Sequence, residues 1–295
     1  MRVIIHGKKF SKESTNYIIE FISQLDKFNI DVLYMKEFYE NLKKRKNNDN
    51  KKEIKPISNI RRVKKKIDFF ISFGGDGTIL NAATIVGDLD IPIVGINTGR
   101  LGFLATIAKH EISNLLTALL KKQYTLSERA LLNINSKDMR FPTPFALNEI
   151  SVSAKENTSM INIKVFLNNE YLNTYWADGL IVSTPTGSTG YSLSCGGPIV
   201  LPKSNNFIIT PIAPHNLNVR PLVISDDTII RIEILDNNSR KFLLSMDSRN
   251  EYIKNSSAIT LKKSQFNIKL LELETNSYSQ TLREKLLWGL DTRNN

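Results

Sequence analysis

The chain of 295 residues has one cysteine, Cys195, so no internal disulfide can brace it. That economy suits a reducing compartment, and the cytoplasm is the expected location. Histidine is nearly as scarce: His6, His110 and His215 stand far apart, without metal-ligand spacing. No apolar run approaches the roughly 18 residues of a membrane span, so no membrane partner is expected. The apolar start at Val3–His6 is too short for a signal peptide and reads as a first strand. The nucleotide motifs G-x-x-x-x-G-K-[ST] and G-x-G-x-x-G are missing, and Gly190–Ser194 lacks the final glycine of a hydrolase elbow. Acidic residues are in deficit, 29 Asp and Glu against 40 Lys and Arg, which leaves a net charge of +11. Such a charge invites a nucleic-acid reading. Many of the basic residues crowd into Lys43–Lys46, Lys51–Lys52 and Arg61–Lys66, however, and no aromatic lies between Lys43 and Lys66 to stack on a base. Nucleic acid is therefore disfavoured as a partner. The polar stretch Lys43–Lys55 is expected to be a mobile insertion.

What is present has the length and the 41% apolar content of a two-domain globular protein. Residues 1–124 alternate strand and helix patterns: strands at Val3–His6, Ile30–Tyr34, Asp68–Phe73 and Ile91–Ile96, and helices at Lys12–Leu25, Ile79–Val86 and Glu111–Lys121. That alternation predicts a parallel sheet, on which ligands bind beyond the carboxyl ends of the strands. Residues 125–270 turn to short β runs, among them Ala130–Ile134, Phe145–Val152, Ile161–Leu167, Leu180–Ser183 and Phe207–Pro211, which predict a β-sandwich-like domain. In residues 271–295, Ser277–Leu290 reads as a helix.

The most informative string is Gly74-Gly75-Asp76-Gly77-Thr78, which comes straight off the third predicted strand. At ordinary residue frequencies it arises by chance in about 3 chains in 10,000 of this length. Glycines let the backbone approach a ligand, and converging N–H groups make a nest for phosphate. A carboxylate inside an anion cradle needs a reason. Asp76 is suited to hold a divalent cation or to accept a proton from an attacking hydroxyl. Further on, Thr184–Gly197 is a polar loop rich in Ser, Thr and Gly, and Tyr191 offers it a ring for stacking. Cys195 reads as a small packed residue.

Gly74–Thr78 resembles the signature of the NAD kinases and of the diacylglycerol and sphingosine lipid kinases, and more loosely that of the phosphofructokinases. Asn148-Glu149, the run Asp178–Tyr191 with Ser192–Ser194, and Thr210–Val223 choose among these. In this order and spacing they look like NAD kinase from about residue 67 to the end. Gly190 departs from the pattern, standing where most of the family has alanine.

The resemblance implies an α/β first domain of the phosphofructokinase/NAD-kinase kind, a β-sandwich-like second domain, and a tail that returns to the first. It implies transfer of the γ-phosphate of ATP to the 2′-hydroxyl of the adenosine ribose of NAD, with Asp76 as proton acceptor. Gly74, Gly75 and Gly77 would admit phosphates. Asp76, Gly77, Asn148, Glu149, Asp178, Thr186, Thr189, Gly190, Tyr191, Ser192, Leu193 and Ser194 would contact NAD. A divalent metal, Mg²⁺, would arrive with ATP instead of being fixed by protein ligands alone, and the chain would assemble as a homodimer or homotetramer. The residues still leave open a lipid kinase, which would need an acyl-sized apolar cleft, and a non-catalytic NADP(H) sensor.

Overall fold

The computed structural model describes residues 1–8, 10–45, 55–99, 102–136, 140–154, 160–235, 241–254, 258–274 and 277–288. The chain forms two units, Met1–Glu128 with Ile268–Asn295, and Arg129–Asn267.

The first unit is built on a six-stranded sheet in the order Asp31–Tyr34, Arg2–His6, Phe69–Phe73, Ile93–Ile96, Ile268–Leu273, Tyr124–Arg129. The first five of these strands run parallel. Phe69–Phe73 is buried along its whole length, as a strand covered on both faces must be. The helix Lys12–Lys27 is capped by Ser11, which accepts the Ser14 N–H at 3.1 Å, and it buries Ile18, Phe21 and Leu25. Strand order reverses about Arg2–His6, with Asp31–Tyr34 on one side and Phe69–Phe73 on the other. Such a reversal opens a crevice at the carboxyl ends of the two central strands. Gly74 follows directly on one of them.

The sequence reading differs here at several points. Lys43, Lys44 and Arg45 do not begin a loop but end the helix Lys36–Arg45, which buried Phe38 and Leu42 anchor. The remainder of the expected insertion, residues 46–54, lies outside the described residues. Tyr124–Arg129 is the edge strand of the first sheet and not the head of the β-rich unit, and Ile268–Leu273 is an unforeseen strand beside it. Both alternate too weakly to declare their sheet. The last helix, Tyr278–Leu286, is capped by Ser277 and belongs to the first unit.

Among the described residues the second unit holds two six-stranded antiparallel sheets. One runs Glu170–Ala177, Ile161–Leu167, Ile230–Leu235, Ala258–Lys263, Leu132–Ser136, Phe145–Ala146. The other runs Leu222–Ser225, Asn206–Ile212, Gly179–Ser183, Glu149–Ala154, Lys241–Met246, Arg249–Lys254. Ile163, Val165 and Ile232 of the first pack with Val152, Leu180, Val182, Phe207 and Phe242 of the second in one core, the arrangement of a β-sandwich. The predicted run Phe145–Val152 is broken: Phe145–Ala146 pairs in one sheet and Glu149–Ala154 in the other, so Leu147 and Asn148 carry the chain across. Asn168 and Asn169 turn one hairpin with φ of 49° and 71°, angles that asparagine tolerates. The second predicted Asn-rich turn, 236–239, lies outside the described residues. No helix among the described residues is long and apolar enough to cross a membrane.

Candidate active site

The glycine string is the beginning of a helix. The helix Asp76–Val86 has Gly75 at its N-cap, so Asp76, Gly77 and Thr78 form its first turn, ahead of the expected start at Ile79. A carboxylate there is favoured by the helix dipole. It is also held from outside: Asp76 Oδ2 accepts the Phe103 N–H at 2.9 Å, and Oδ1 accepts those of Leu104 and Ala105, each at 3.0 Å. Gly102 makes this grip possible, because a Cβ on it would fall on the carboxylate. Of the three motif glycines, only Gly74 is demanded by the protein itself, since its Cβ would lie 2.6 Å from Thr78 Cβ. Gly75 and Gly77 face open space among the described residues, none of whose heavy atoms lies within 4 Å of a Cβ built on either. Their bareness leaves backbone accessible to a ligand.

His6 sits behind this turn as a prop. It is buried, with Nδ1 2.9 Å from Ser72 Oγ and Nε2 3.1 Å from Asn81 Oδ1. An amide oxygen only accepts, so Nε2 carries the proton and Nδ1 accepts from Ser72. Burial pushes its pKa down to about 4 and keeps the ring neutral.

In the second unit, Asn148 and Glu149 stand where the chain passes between sheets. Thr184 N–H donates to Asn148 O at 2.9 Å and Thr184 Oγ1 to Leu147 O at 2.6 Å. From the other side the Asp247 carboxylate accepts the N–H groups of Leu147, Asn148 and Glu149 at 3.0, 2.7 and 3.3 Å. The two side chains converge on Gly190, whose Cβ would lie 2.9 Å from Glu149 Oε2 and 3.4 Å from Asn148 Nδ2. Among the described residues, neither Asn148 Oδ1 nor Glu149 Oε2, both buried, has a hydrogen-bond partner. Buried polar atoms are rarely left so, and two together mark a place for a ligand. Burial first, and the charge of Asp247 second, push the Glu149 pKa up to about 7, against a Tyr191 N–H that lowers it.

The rest of the predicted set lies close by in sequence but divides in role. Tyr191 is 46% exposed, and burial, Cys195, Asp178 and Glu149 raise its pKa, so Asp178 and Glu149 are within electrostatic reach of it. The Asp178 side chain is exposed and Ser194 is exposed, while Leu193 and Thr189 are half-buried. Thr186 is buried, and Ser192 turns inward, its Oγ 2.8 Å from Thr210 Oγ1. Ser192 and Thr210 thus brace the loop. Cys195 is half-buried with its thiol pKa raised by burial, in keeping with a packed residue.

Sequence reasoning missed Asp247 and the Leu104 and Ala105 amides, and it placed the Asn97–Phe103 turn at a strand end without giving Gly102 a role. An Asp at a hairpin turn and a Gly in a loop carry no signal until the fold brings them to Asp76 or Asn148. Among the described residues no group of three or more His, Cys, Asp or Glu is placed to hold a metal.

Most of the chain matches known families. The families described as ATP-NAD kinase N-terminal domain and ATP-NAD kinase C-terminal domain match residues 3–124 and 147–273. The chain belongs to the NAD kinase family. A protein of Christiangramia forsetii named NAD kinase is 46% identical over 297 residues, all of both chains. One of Cytophaga hutchinsonii with the same name is 52% identical over 230 residues, 78% of each. Among solved structures, yeast NADH kinase complexed with NADH is similar with a TM-score of 0.88 and 25% identity, covering 100% of this chain and 90% of that one. An NAD kinase from Archaeoglobus fulgidus in complex with ATP has a TM-score of 0.75 and 26% identity, covering 97% and 99%.

Proposed function

We propose that this member of the NAD kinase family moves the γ-phosphate of ATP to the 2′-hydroxyl of the adenosine ribose of NAD, with Asp76 as the group that orients and deprotonates that hydroxyl. The observation that carries the reading is the pair of buried, unpartnered acceptors, Asn148 Oδ1 and Glu149 Oε2. Ribose hydroxyls and the edge of an adenine supply the donors that such a pair lacks. Tyr191, half open, gives a ring face on which a base or nicotinamide stacks. Asp178, Thr186, Thr189, Gly190, Tyr191, Leu193 and Ser194 complete the dinucleotide contacts in this reading, Ser192 serves them through its inward brace to Thr210, and Gly74, Gly75 and Gly77 admit the phosphates.

Asp76 has about four lone-pair sites and three backbone donors on them. One site on Oδ2 remains for the substrate hydroxyl. As the ribose oxygen bonds to the γ-phosphorus, the bond from that phosphorus to its bridging oxygen breaks, ADP leaves, and the hydroxyl proton passes to Asp76. Its rigid seat makes Asp76 effective mainly through orientation. A divalent cation such as Mg²⁺, carried in on the triphosphate, would neutralise phosphate charge when bound. With three backbone donors and the substrate hydroxyl on Asp76, phosphate oxygens and water would supply its ligands. Assembly as a dimer or tetramer and a cytoplasmic setting belong to the same reading, the latter resting on the lone Cys195. Light scattering on the purified chain checks the former.

Incubation with ATP, Mg²⁺ and NAD⁺, with NADP⁺ read by an NADP-specific dehydrogenase, tests the activity. Asp76→Asn should lower turnover by about 10² to 10⁴ and leave NAD⁺ binding by calorimetry nearly unchanged. A variant that keeps more than half of normal turnover refutes the role of Asp76. Absence of NADP⁺ with the wild-type chain would favour a binding protein without catalysis.

A further inference from the structure

We propose that Asp247 is the positioning residue of the dinucleotide pair, holding Asn148 and Glu149 in the one orientation that binds NAD. The inference rests on the reading of that pair given above. Asp247 occupies the turn between the strands Lys241–Met246 and Arg249–Lys254, with φ of 54°. Its side chain is only 3% exposed. Both carboxylate oxygens are committed to one short segment: Oδ2 accepts from Leu147, and Oδ1 from Asn148 and Glu149. The Asp247 N–H returns a bond to Glu149 O at 3.0 Å. Leu147 and Asn148 lie in the gap between two strands of different sheets, so the carboxylate takes the place of a ladder partner.

Burying a carboxylate is costly unless it is paired and bonded. Arg249 stands 3.8 Å from Asp247 Oδ2 and is itself tied to Thr143 O at 2.7 Å and to Phe145 O. Burial still raises the Asp247 pKa, against the backbone donors and Arg249 that lower it. A hairpin that only had to turn needs no buried charge, since Asn-Gly serves. The three donors explain the choice: an amide offers one acceptor oxygen, a carboxylate two. Once the peptide planes at 147–149 are fixed, so are the Cα–Cβ directions of Asn148 and Glu149. Their free oxygens are then presented before any ligand arrives, so binding does not have to order them.

Asp247 also acts on Glu149 through its charge. The titratable and charged groups around the pair are Asp247 and Arg249 on the hairpin, Tyr191 and Cys195 on the loop, and Asp178 before the strand Gly179–Ser183. Because ionised Glu149 is the better acceptor for ribose hydroxyls, KM for NAD⁺ should fall as pH rises through about 7.

The test is KM for NAD⁺ and kcat under saturating ATP and Mg²⁺, from about pH 6 to about pH 9, for the wild type, Asp247→Asn, Asp247→Glu and Glu149→Gln. Asp247→Asn tolerates the same backbone angle but leaves one N–H unmatched, so KM should rise about tenfold. With the charge gone, the inflection of KM against pH should move to lower pH. Asp247→Glu keeps the charge and misplaces it, so KM should rise with the inflection kept. A KM within about twofold of wild type in both variants overturns the inference, and so does a rise in Asp247→Asn with an unmoved inflection, the mark of mere structural support. Unchanged kinetics in Glu149→Gln overturn the reading of the pair and this inference with it. A changed Glu149→Gln beside an unaffected Asp247→Asn overturns this inference alone. Should Asp247→Asn lose its thermal transition, Asp247→Glu and a ¹³C titration of the wild-type Glu149 carboxyl decide. An inflection near 7 that drops on saturation with NAD⁺ supports the reading of Glu149 on which the proposal rests, and a KM for Asp247→Glu within about twofold of wild type refutes the proposal.

Discussion

Gly102 has no side chain and no predicted part in chemistry, yet Gly102→Ala is expected to disable phosphoryl transfer. A Cβ at this position would lie 2.5 Å from Asp76 Cγ and nearer still to Oδ1. Carbon atoms approach comfortably to about 3.5 Å, so something must yield by about 1 Å. The carboxylate is not a free end that swings aside, because the Phe103, Leu104 and Ala105 amides grip it. Either those bonds lengthen or the whole segment moves, and Asp76 is displaced in both cases. Misplacing a catalytic group by ~1 Å costs on the order of 10²-fold in rate. The loss should appear in kcat, measured by the coupled NADP⁺ assay, while KM for NAD⁺ stays near wild type, since Asn148, Glu149 and Tyr191 are untouched. Combined with Asp76→Asn, the alanine should add almost nothing, because both changes remove the same group. A Gly102→Ala enzyme with kcat within about threefold of wild type, or a double variant whose losses multiply, refutes the reasoning.

The other expectations concern the second unit and one buried ring. Tyr191→Ala removes a stacking face that serves ground and transition states alike, so it should mainly raise KM for NAD⁺, whereas Glu149→Gln should lower kcat as well; the reverse pattern in steady-state kinetics would show the roles to be exchanged. Gly190→Ala brings a methyl 2.9 Å from Glu149 Oε2, but a carboxylate tip can give a few tenths of an ångström. KM should therefore rise less than about fivefold, and a loss beyond tenfold would mean that Glu149 has no freedom to move. His6 falls from an ordinary 6.5 to about 4 on folding, so the neutral ring stabilises fully above pH 6.5, and up to about 3 kcal/mol is lost as pH falls through 4. Glu149, raised to about 7, works in the opposite sense over the same window, so the measurement is the difference in urea midpoint between wild type and His6→Gln. That difference should shrink on acidification, and a pH-independent difference would refute the neutral-prop assignment.

Local chemistry is what the sequence determined by itself. The run Ile67–Phe73, apolar but for Asp68 and Ser72, ends in Gly74–Thr78 and announces a buried parallel strand with a glycine turn at its carboxyl end. Alternation at Ile161–Leu167 announces a sandwich strand, and the strand has those bounds. The order of the motifs indicated the family. Weakly patterned pieces were illegible. Tyr124–Arg129 and Ile268–Leu273 close the first sheet only because hydrogen-bonding edges were left for them, and the helix Lys36–Arg45 hid in a lysine-rich segment whose few apolar residues point inward. The supports of the site were beyond reach for a stronger reason. Asp76 is held by amides of Phe103–Ala105, and Asn148-Glu149 by an aspartate at position 247. A backbone N–H is the same in every residue but proline, and an Asp at a turn looks like any other. Chemistry is written in side-chain identity and can be read along the chain. Positioning depends on which backbone groups lack partners, and only the packed sheets decide that.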